Sequence, residues 1–245
     1  NIWVGTSNGL NFFDRKTENF IRFYSKNDNP GTISSNVINT LYYDGLNLWI
    51  GTPNGLDRID TETMVIERQS GNKWNSMLGI YNVNQIVPFK KGVPMEGFWM
   101  ATIGGLVYYD KSMSTFQDVI HPEIFGRYVS NIYSGHNGDL WIYVPQSAGV
   151  IQFKTTNFYL MYGFFDPQLD FTHVKAIDND IKSLGSNKIN DILFNQNKTT
   201  WFATDKGISR MLSNSDIFNL KWPTVNANSI SICLLYTSPS PRDRG

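Results

Sequence analysis

One tryptophan-centred pentapeptide recurs five times along the chain, and this repeat constrains the possible folds more than any other feature. The copies are IWVGT at 2–6, LWIGT at 48–52, FWMAT at 98–102, LWIYV at 140–144 and TWFAT at 200–204. Successive tryptophans lie 46, 50, 42 and 60 residues apart. Such a period is typical of β-propeller blades, at about 40 to 50 residues each, rather than of the shorter helical or leucine-rich repeats.

Hairpin signals follow each pentapeptide. A glycine and an aliphatic residue come next, at Gly9-Leu10, Gly55-Leu56, Gly105-Leu106, Gly149-Val150 and Gly207-Ile208. Asn-Gly pairs at 8–9 and 54–55 favour tight turns, because both residue types tolerate a positive φ. A third strand is predicted over 20–24 and 64–68. A fourth opens with Asn or Ser two positions before Ile, at Asn36, Asn84, Ser130 and Asn187. Four strands per repeat predict an all-β chain, a β-propeller fragment of about four to five four-stranded blades.

The repeated apolar positions are interpreted as frame rather than site. A tryptophan at one fixed strand position in every copy favours packing between blades over stacking on sugar rings. A small residue two places later leaves room for a neighbouring blade. It is present at Gly5, Gly51, Ala101 and Ala203, and Tyr143 breaks the rule in the fourth copy.

The repeated polar positions have structural interpretations as well. Asp14, Asp60 and Asp110 end strands beside a turn, where Asp is a turn former. Asn36, Asn84 and Asn187 either cap the turn into the inner strand, the favoured interpretation, or form a polar ring around a central channel.

Composition excludes several classes of protein. The chain is 41% hydrophobic and only 17% charged, which is typical of a globular protein with a sizeable core. Lys plus Arg equals Asp plus Glu, at 21 each, so nothing predicts a nucleic-acid partner. No apolar run approaches the roughly 20 residues of a membrane-spanning helix.

The pattern N-x-I, then L-W-I-G-T, then G-L and a terminal Asp resembles the two-component regulator propeller repeat. The resemblance is specific in the first three copies and weaker in LWIYVPQSAGV and TWFATDKGI. It implies the periplasmic sensor region of a bacterial hybrid two-component histidine kinase, in which two seven-bladed propellers precede a β-sandwich, a membrane helix and the phosphorelay modules. It further implies a homodimeric receptor that binds oligosaccharides.

The domain prediction follows from where the repeat begins and fails. Residues 1–232 are expected to form a partial propeller with repeats beginning near Ile2, Leu48, Phe98, Leu140 and Thr200. The chain begins inside a blade motif, so an earlier part is expected. Asn228 and Ile230 are predicted to restart another blade. Residues 233–245, CLLYTSPSPRDRG, resemble a translated sequencing adapter and are predicted to be a non-native tail that holds the single cysteine, Cys233.

No catalytic or metal constellation is visible in the sequence. The three histidines, His121, His136 and His173, lack metal-ligand spacing. The stretch DNDIKS at 178–183 begins like a calcium loop, but Lys182 stands at the third ligand position and the expected Gly is absent, so an ordinary polar loop is predicted. Sialidase-type boxes and converging carboxylates are not found. We therefore predict no catalytic residue, no metal and no cofactor, and a segment that is not itself an enzyme.

Ligand contacts are expected where the repeat is interrupted, because propellers bind through loops that vary on a constant frame. The candidates are Trp74, Tyr81, Tyr143, Tyr162 and Phe171. Trp74 and Tyr81 belong to the loop 69–84, and Tyr162 and Phe171 to the long insertion 159–180. These aromatics either stack on sugar rings, dock the second propeller, or fold back onto the blades as a local core.

The function predicted from the sequence is a ligand-sensing propeller fragment of a hybrid two-component receptor, with an oligosaccharide as the ligand. Its partners would be the second propeller and the β-sandwich of the same receptor, and it would meet the membrane only through a downstream helix. The alternative is a freestanding propeller that acts as a lyase-like or glycosidase-like enzyme or as an interaction scaffold.

Overall fold

The computed structural model is built from antiparallel strands joined by turns and loops. It describes residues 1–26, 28–69, 82–88, 97–135, 138–154, 171–195, 199–212, 218–223 and 226–231, with 219–223 described by their backbone alone. These residues contain no helix and form 19 strands in five sheets. The predicted all-β propeller architecture is confirmed.

Each sheet consists of consecutive strands. Sheet 1 contains β1 (Ile2–Thr6), β2 (Gly9–Asp14) and β3 (Asn19–Phe23). Sheet 2 contains β4 (Thr40–Tyr43), β5 (Asn47–Thr52), β6 (Gly55–Asp60) and β7 (Ile66–Gln69). Sheet 3 contains β8 (Val83–Pro88), β9 (Gly97–Thr102), β10 (Gly105–Asp110) and β11 (Thr115–Asp118). Sheet 4 contains β12 (Asn131–Ser134), β13 (Leu140–Tyr143), β14 (Val150–Phe153) and β15 (Phe171–Val174). Sheet 5 contains β16 (Ile189–Phe194), β17 (Thr200–Thr204), β18 (Gly207–Met211) and β19 (Phe218–Pro223).

The strand that opens after the Asn-x-Ile signal belongs to a different place in the repeat than the sequence indicated. It was predicted as the fourth strand after a tryptophan strand. In sheets 2 to 5 it is instead the first strand, and it pairs with the tryptophan strand that follows it. A repeat in sequence has no intrinsic starting point, so only strand pairing fixes which four strands share a sheet.

The chain divides into two compact units. Unit 1, Asn1–Lys175, contains sheets 1 to 4, and unit 2, Ala176–Gly245, contains sheet 5. In unit 1 each pair of successive sheets encloses an apolar core between their faces. Trp49 of sheet 2 lies 5.0 Å from Phe98 of sheet 3, and Trp99 lies 5.7 Å from Phe153 of sheet 4, measured between ring centroids. These two tryptophans therefore pack between blades, as the fixed strand position predicts.

In the first two copies, the glycine two places after the tryptophan lies too close to its neighbours to carry a side chain. A Cβ added at Gly5 would lie 2.6 Å from Ile38 Cγ2, and one added at Gly51 would lie 2.8 Å from Val83 Cγ1. Both distances are shorter than carbon atoms tolerate, so a larger side chain would force the sheets apart.

The last residue of the pentapeptide closes the hairpin. The Oγ1 atoms of Thr6, Thr52, Thr102 and Thr204 each donate a hydrogen bond to the carbonyl of the glycine three residues later, at 2.7 to 3.2 Å. These glycines, and Gly149 in the fourth copy, have φ between 80° and 140°. Only glycine adopts this region without strain, which explains why the Gly-aliphatic pair recurs.

The strand-ending aspartates form turns, as predicted. Asp14 Oδ1 accepts the Lys16 N–H at 3.0 Å, and Asp60 Oδ1 accepts the Thr63 N–H at 2.8 Å. Asp110 Oδ1 accepts the Ser112 N–H at 2.8 Å. These hydrogen bonds, first among them those from the backbone, lower the pKa values of Asp14 and Asp60.

Asparagine side chains link the first strands of successive sheets, which we call the inner strands. In unit 1 the Nδ2 atoms of Asn39 and Asn84 donate to the carbonyls of Val83 and Val129, at 3.0 and 2.9 Å. In unit 2, Asn190 Nδ2 donates to the Ala227 carbonyl at 2.8 Å. The segment after sheet 5 is thus bound to sheet 5 at Ala227, but residues 226–231 form no strand, and the restart of a blade at 228–230 stays a prediction.

The structure separates the three repeated asparagines into two positions. Asn36 and Asn187 accept the backbone N–H of Ser25 and of Ala176, each at 2.7 Å, so they cap loops. Asn84 occupies the position of Asn39 and Asn190 instead. The sequence alignment was wrong by three residues at Asn84, because the pattern N-V-I-N at 36–39 offers two asparagines and only pairing distinguishes them.

Candidate ligand-binding rim

One edge of the sheets, which we name the loop edge, carries two kinds of loop. It carries the hairpin turns after the tryptophan strands and the crossover loops that lead from one sheet to the next. Backbone bonds from Gly9 N to Asn36 O at 2.6 Å and from Gly126 N to Gly104 O at 2.8 Å join the two kinds of loop. The opposite edge, named the turn edge, carries the turns at Asp14, Asp60 and Asp110.

A buried carboxylate anchors the first crossover loop. Asp57 on β6 is fully buried, and its Oδ2 accepts the N–H of Ser34 at 2.7 Å and the Ser34 hydroxyl at 2.9 Å. The Ser34 hydroxyl also lies 2.9 Å from Thr52 Oγ1. Burial raises the pKa of Asp57 to about 6, against the opposing effects of the Ser34 hydrogen bonds and the charge of Arg68.

Arg68 lies opposite Asp57 in the pairing of β6 with β7. Its guanidinium donates hydrogen bonds to oxygen atoms of the same crossover loop. Its Nε donates to the Thr32 carbonyl at 2.8 Å. Its Nη2 donates to the carbonyls of Lys26, Asn29 and Ile33 at 3.1 to 3.2 Å and to Thr32 Oγ1 at 3.2 Å. We name these five oxygens the oxygen cradle of loop 25–36. Two guanidinium nitrogens, Nε and Nη2, reach these oxygens, so their three N–H groups are shared among the five acceptors.

Two of the histidines that are scattered in the sequence come together at the crossover loop between sheets 3 and 4, with His121 in the loop and His173 on β15. His173 Nδ1 lies 3.0 Å from Glu123 Oε2, and His173 Nε2 lies against the Ala148 carbonyl. The His121 ring lies 4.3 Å from the ring of Phe171. Burial lowers the pKa of His121, with Glu123 acting in the opposite direction. His173 thus holds this loop from the strand position at which Arg68 holds the first one.

Loop 176–187 of unit 2 repeats the internal hydrogen bonds of loop 25–36, and it accepts one further bond, from the Phe218 N–H of β19 to the Lys182 carbonyl at 2.8 Å. Ser183 Oγ donates to the carbonyls of Ile177 and Asp180 at 3.2 and 2.8 Å, the same distances that Thr32 Oγ1 makes to Lys26 and Asn29. Leu184 is buried, as Ile33 is. A cavity of about 810 Å³ lies against the loop and is lined by Asp178, Asp180 and Asp205 together with Lys188 and Lys206. The stretch DNDIKS, predicted to be an ordinary polar loop, is part of this repeated structure.

The structure places two of the five predicted contact residues at opposite edges. Tyr143 lies at the loop-edge end of β13 and is half-buried. Phe171 lies at the turn-edge end of β15, where its ring stacks on Phe153 at 4.6 Å. In register it matches Phe20 and Phe116, so Phe171 occupies a position of the repeated frame. The structure does not bring these two residues together.

Trp74, Tyr81 and Tyr162 lie outside the described residues. The segment with Trp74 and Tyr81 joins β7 to β8 between strand ends at the loop edge. The segment with Tyr162 joins Phe153 of β14 to Phe171 of β15, two strand ends at the turn edge. The contact role of all five residues stays a prediction.

Sequence reasoning missed the residues that hold the crossover loops. Ser34, Asp57 and Arg68 are far apart in the chain and do not form a motif. A usable signal was present nonetheless, because SKNDNPGTISSN at 25–36 aligns without a gap to AIDNDIKSLGSN at 176–187. Within the described ranges, no group of three or more His, Cys, Asp or Glu side chains could hold a metal ion.

The first of these crossover loops and the two strands after it carry the sequence of a known family. Residues 32–54 match the family model described as two component regulator propeller. The match begins at the oxygen cradle, continues through β4 and β5 and ends in the hairpin turn at Asn54. Over these residues the chain is similar to the two-component regulator propeller repeat. The resemblance noted in the sequence is thereby confirmed.

The fold of the chain is similar to that of several solved structures. The extracellular domain of one hybrid two-component system from B. thetaiotaomicron is 21% identical, with a TM-score of 0.62 over 94% of this chain and 28% of that chain. A second such domain from the same organism is 20% identical, with a TM-score of 0.62 over 85% of this chain and 25% of that chain. Virginiamycin B lyase from Staphylococcus aureus is 14% identical, with a TM-score of 0.53 over 93% of this chain and 69% of that chain. All three likenesses concern the fold.

The chain spans about a quarter of the length of the two extracellular domains that it resembles. No curated protein sequence matches it. Among the residues that the structure describes, there is no helix with the length and apolar character needed to cross a membrane.

Proposed function

We propose that the chain is a ligand-sensing, non-catalytic part of the extracytoplasmic region of a hybrid two-component receptor, and that its ligand is an oligosaccharide. The observation that carries the proposal is the regulator propeller repeat at 32–54 within a run of blade-like sheets. The fold shared with extracellular domains of hybrid two-component systems supports the receptor assignment. A periplasmic location, a downstream histidine kinase and a dimeric receptor belong to the same proposal.

Five of the described carboxylates have structural roles, which removes them as candidates for the enzyme alternative. Asp14, Asp60 and Asp110 accept turn N–H groups, and Asp57 anchors a crossover loop. Asp44 Oδ2 accepts the indole N–H of Trp49 at 2.9 Å. Each of these carboxylates is committed to the frame, whereas a glycosidase needs two that face the same substrate.

Binding of oligosaccharides by the full chain tests the proposal. Fragments of several polysaccharides are titrated by calorimetry, and one class is expected to bind. Trp74→Ala with Tyr81→Ala should then weaken binding about tenfold, since a stacked aromatic contributes on the order of 1 kcal/mol. Tyr43→Ala is the matched control, because Tyr43 is exposed on the turn edge. A folded protein that binds none of the fragments would contradict the ligand assignment.

The receptor assignment has a separate test in the open reading frame. A membrane helix and kinase modules are expected downstream of the propeller region. A reading frame that stops after the last blade would defeat the receptor assignment and leave the freestanding enzyme or scaffold.

A further inference from the structure

The strand position that holds each crossover loop differs in chemistry from sheet to sheet. This position lies on the last strand of the sheet, opposite the residue that comes two places after the hairpin glycine. In sheet 2 it is Arg68, which pairs with Asp57, and in sheet 4 it is His173, which pairs with Ile151. In sheet 5 the same register pairs Ser209 with Leu220. The N–H donors of Arg68 reach the crossover loop before sheet 2, and His173 contacts Glu123 in the crossover loop before sheet 4. Leucine carries no N–H donor.

The loop in front of sheet 5 nevertheless has the acceptors that Arg68 uses. The equivalent oxygens are the carbonyls of Ile177, Asp180, Ser183 and Leu184 and the hydroxyl of Ser183. Their arrangement is fixed by the same internal bonds, including Asp180 N to Ile177 O at 3.1 Å and Lys182 N to Asp180 Oδ1 at 2.9 Å. Loop 25–36 has the matching bonds at 3.1 and 2.9 Å, from Asn29 N to Lys26 O and from Gly31 N to Asn29 Oδ1.

Charge differs between the two loops in the direction that favours a cation. Lys26, Asn29 and Gly31 of loop 25–36 are replaced by Ile177, Asp180 and Lys182 in loop 176–187. The formal charge of the loop changes by one, from zero with Lys26 and Asp28 to −1 with Asp178, Asp180 and Lys182. Asp178 and Asp205 line the adjoining cavity, and Lys188 and Lys206 partly offset them. A carboxylate beside neutral carbonyls strengthens the hold on a cation whose N–H groups point at the oxygens.

We propose that the oxygen cradle of loop 176–187 is a binding site for a guanidinium or primary ammonium group supplied by a ligand. Loop 25–36 shows what such a cradle binds, since Arg68 reaches its oxygens with N···O distances of 2.8 to 3.2 Å. This spacing fits N–H donors, whereas calcium takes six to eight oxygens at about 2.3 to 2.6 Å. The site lies within unit 2 and is independent of the oligosaccharide assignment.

Ethylguanidinium serves as the probe, with sodium chloride at equal ionic strength as the reference. Backbone amide resonances of the full chain are followed by NMR during the titration. Saturable shifts are expected at Ile177, Asp180, Ser183 and Leu184. Leu220→Arg should weaken probe binding tenfold or more, because the introduced guanidinium competes for the same oxygens and charge-assisted hydrogen bonds contribute about 1.5 to 3 kcal/mol. Leu220→Met has no N–H donor and should leave binding unchanged.

Arg68→Leu is the reciprocal variant. It exposes the cradle of loop 25–36, and ethylguanidinium should then shift the amides of Lys26, Asn29, Thr32 and Ile33, which the unaltered protein does not show. The proposal would be overturned if ethylguanidinium bound loop 25–36 of Arg68→Leu but caused no saturable shift at loop 176–187. Binding that develops at loop 176–187 only after Lys221→Gln would overturn it too, because the chain's own lysine would then be the occupant.

Discussion

At the residue scale, the contribution of Asp57 to the free energy of unfolding depends on pH. Its ordinary pKa of 3.8 is raised to about 6 by burial. The folded protein therefore binds a proton more tightly than the unfolded chain does between these two values. The resulting stabilisation is fully present below pH 3.8 and is lost as the pH rises through 6.

Asp57→Asn tests this linkage. The variant removes the titrating group and keeps an oxygen for the Ser34 N–H, so the free energy of unfolding should vary less between pH 4 and pH 7. The full effect of such a shift is about 3 kcal/mol. Urea unfolding of both proteins across this range measures it. Asp14→Asn is the control, because the lowered pKa of Asp14 confines its effect to more acidic solution. Parallel curves for Asp57→Asn and the unaltered protein would show that Asp57 does not titrate in this range.

A left-handed residue recurs four positions after each strand-ending aspartate. Glu18, Met64 and Ser114 have φ of 55°, 58° and 54°. Glu18 is exposed, so its conformation is set by the turn that Asp14 forms and not by packing.

Glu18→Gly is expected to raise the free energy of unfolding by about 0.5 to 1 kcal/mol, because glycine adopts positive φ without the clash of a Cβ. Thermal melting measures the change. Glu18→Ala keeps the Cβ and should give no increase. An equal gain from both substitutions would assign the effect to the lost carboxylate rather than to the backbone.

At the element scale, the sheets are joined by side chains that each reach the next inner strand. Asn84→Ala removes the bond from its Nδ2 to the Val129 carbonyl and should cost about 1 to 2 kcal/mol. Asn11→Ala is the matched control, because the bond of Asn11 to Val4 O is exposed and 3.5 Å long. Chemical denaturation of both variants gives the difference. A loss at Asn11 as large as that at Asn84 would contradict a specific role for the inter-sheet bond.

The elements also show which features the sequence could predict. Local signals predicted the tryptophan strands, the Gly-aliphatic hairpins and the Asp turns, because a pentapeptide or a turn holds the residues that decide it. The loop anchors could not be predicted in the same way. Ser34 meets Asp57 over 23 residues and Arg68 reaches Thr32 over 36, and such pairs follow from strand register rather than from spacing. The error at Asn84 has the same origin.

At the scale of the whole molecule, one face of sheet 1 differs from its counterparts in unit 1. Ile2, Val4 and Phe20 are 40%, 42% and 59% exposed. The matching residues of sheet 3 are Phe98, Met100 and Phe116, and all are at most 2% exposed because they pack on sheet 2. The face of sheet 1 thus has the chemistry of a blade interface on an exposed surface.

Such a face should drive self-association of the chain as it stands. The sedimentation coefficient is expected to rise with protein concentration, because exposed apolar faces of this kind bury area by pairing. Phe20→Lys places a charge on this face and should shift the chain toward monomer. Ile181→Lys is the control, since Ile181 is 87% exposed on loop 176–187 and is not a residue of sheet 1. Sedimentation velocity of the three proteins decides the matter: concentration-independent monomer in the unaltered chain, or equal suppression by both lysines, would show that sheet 1 is not the contact.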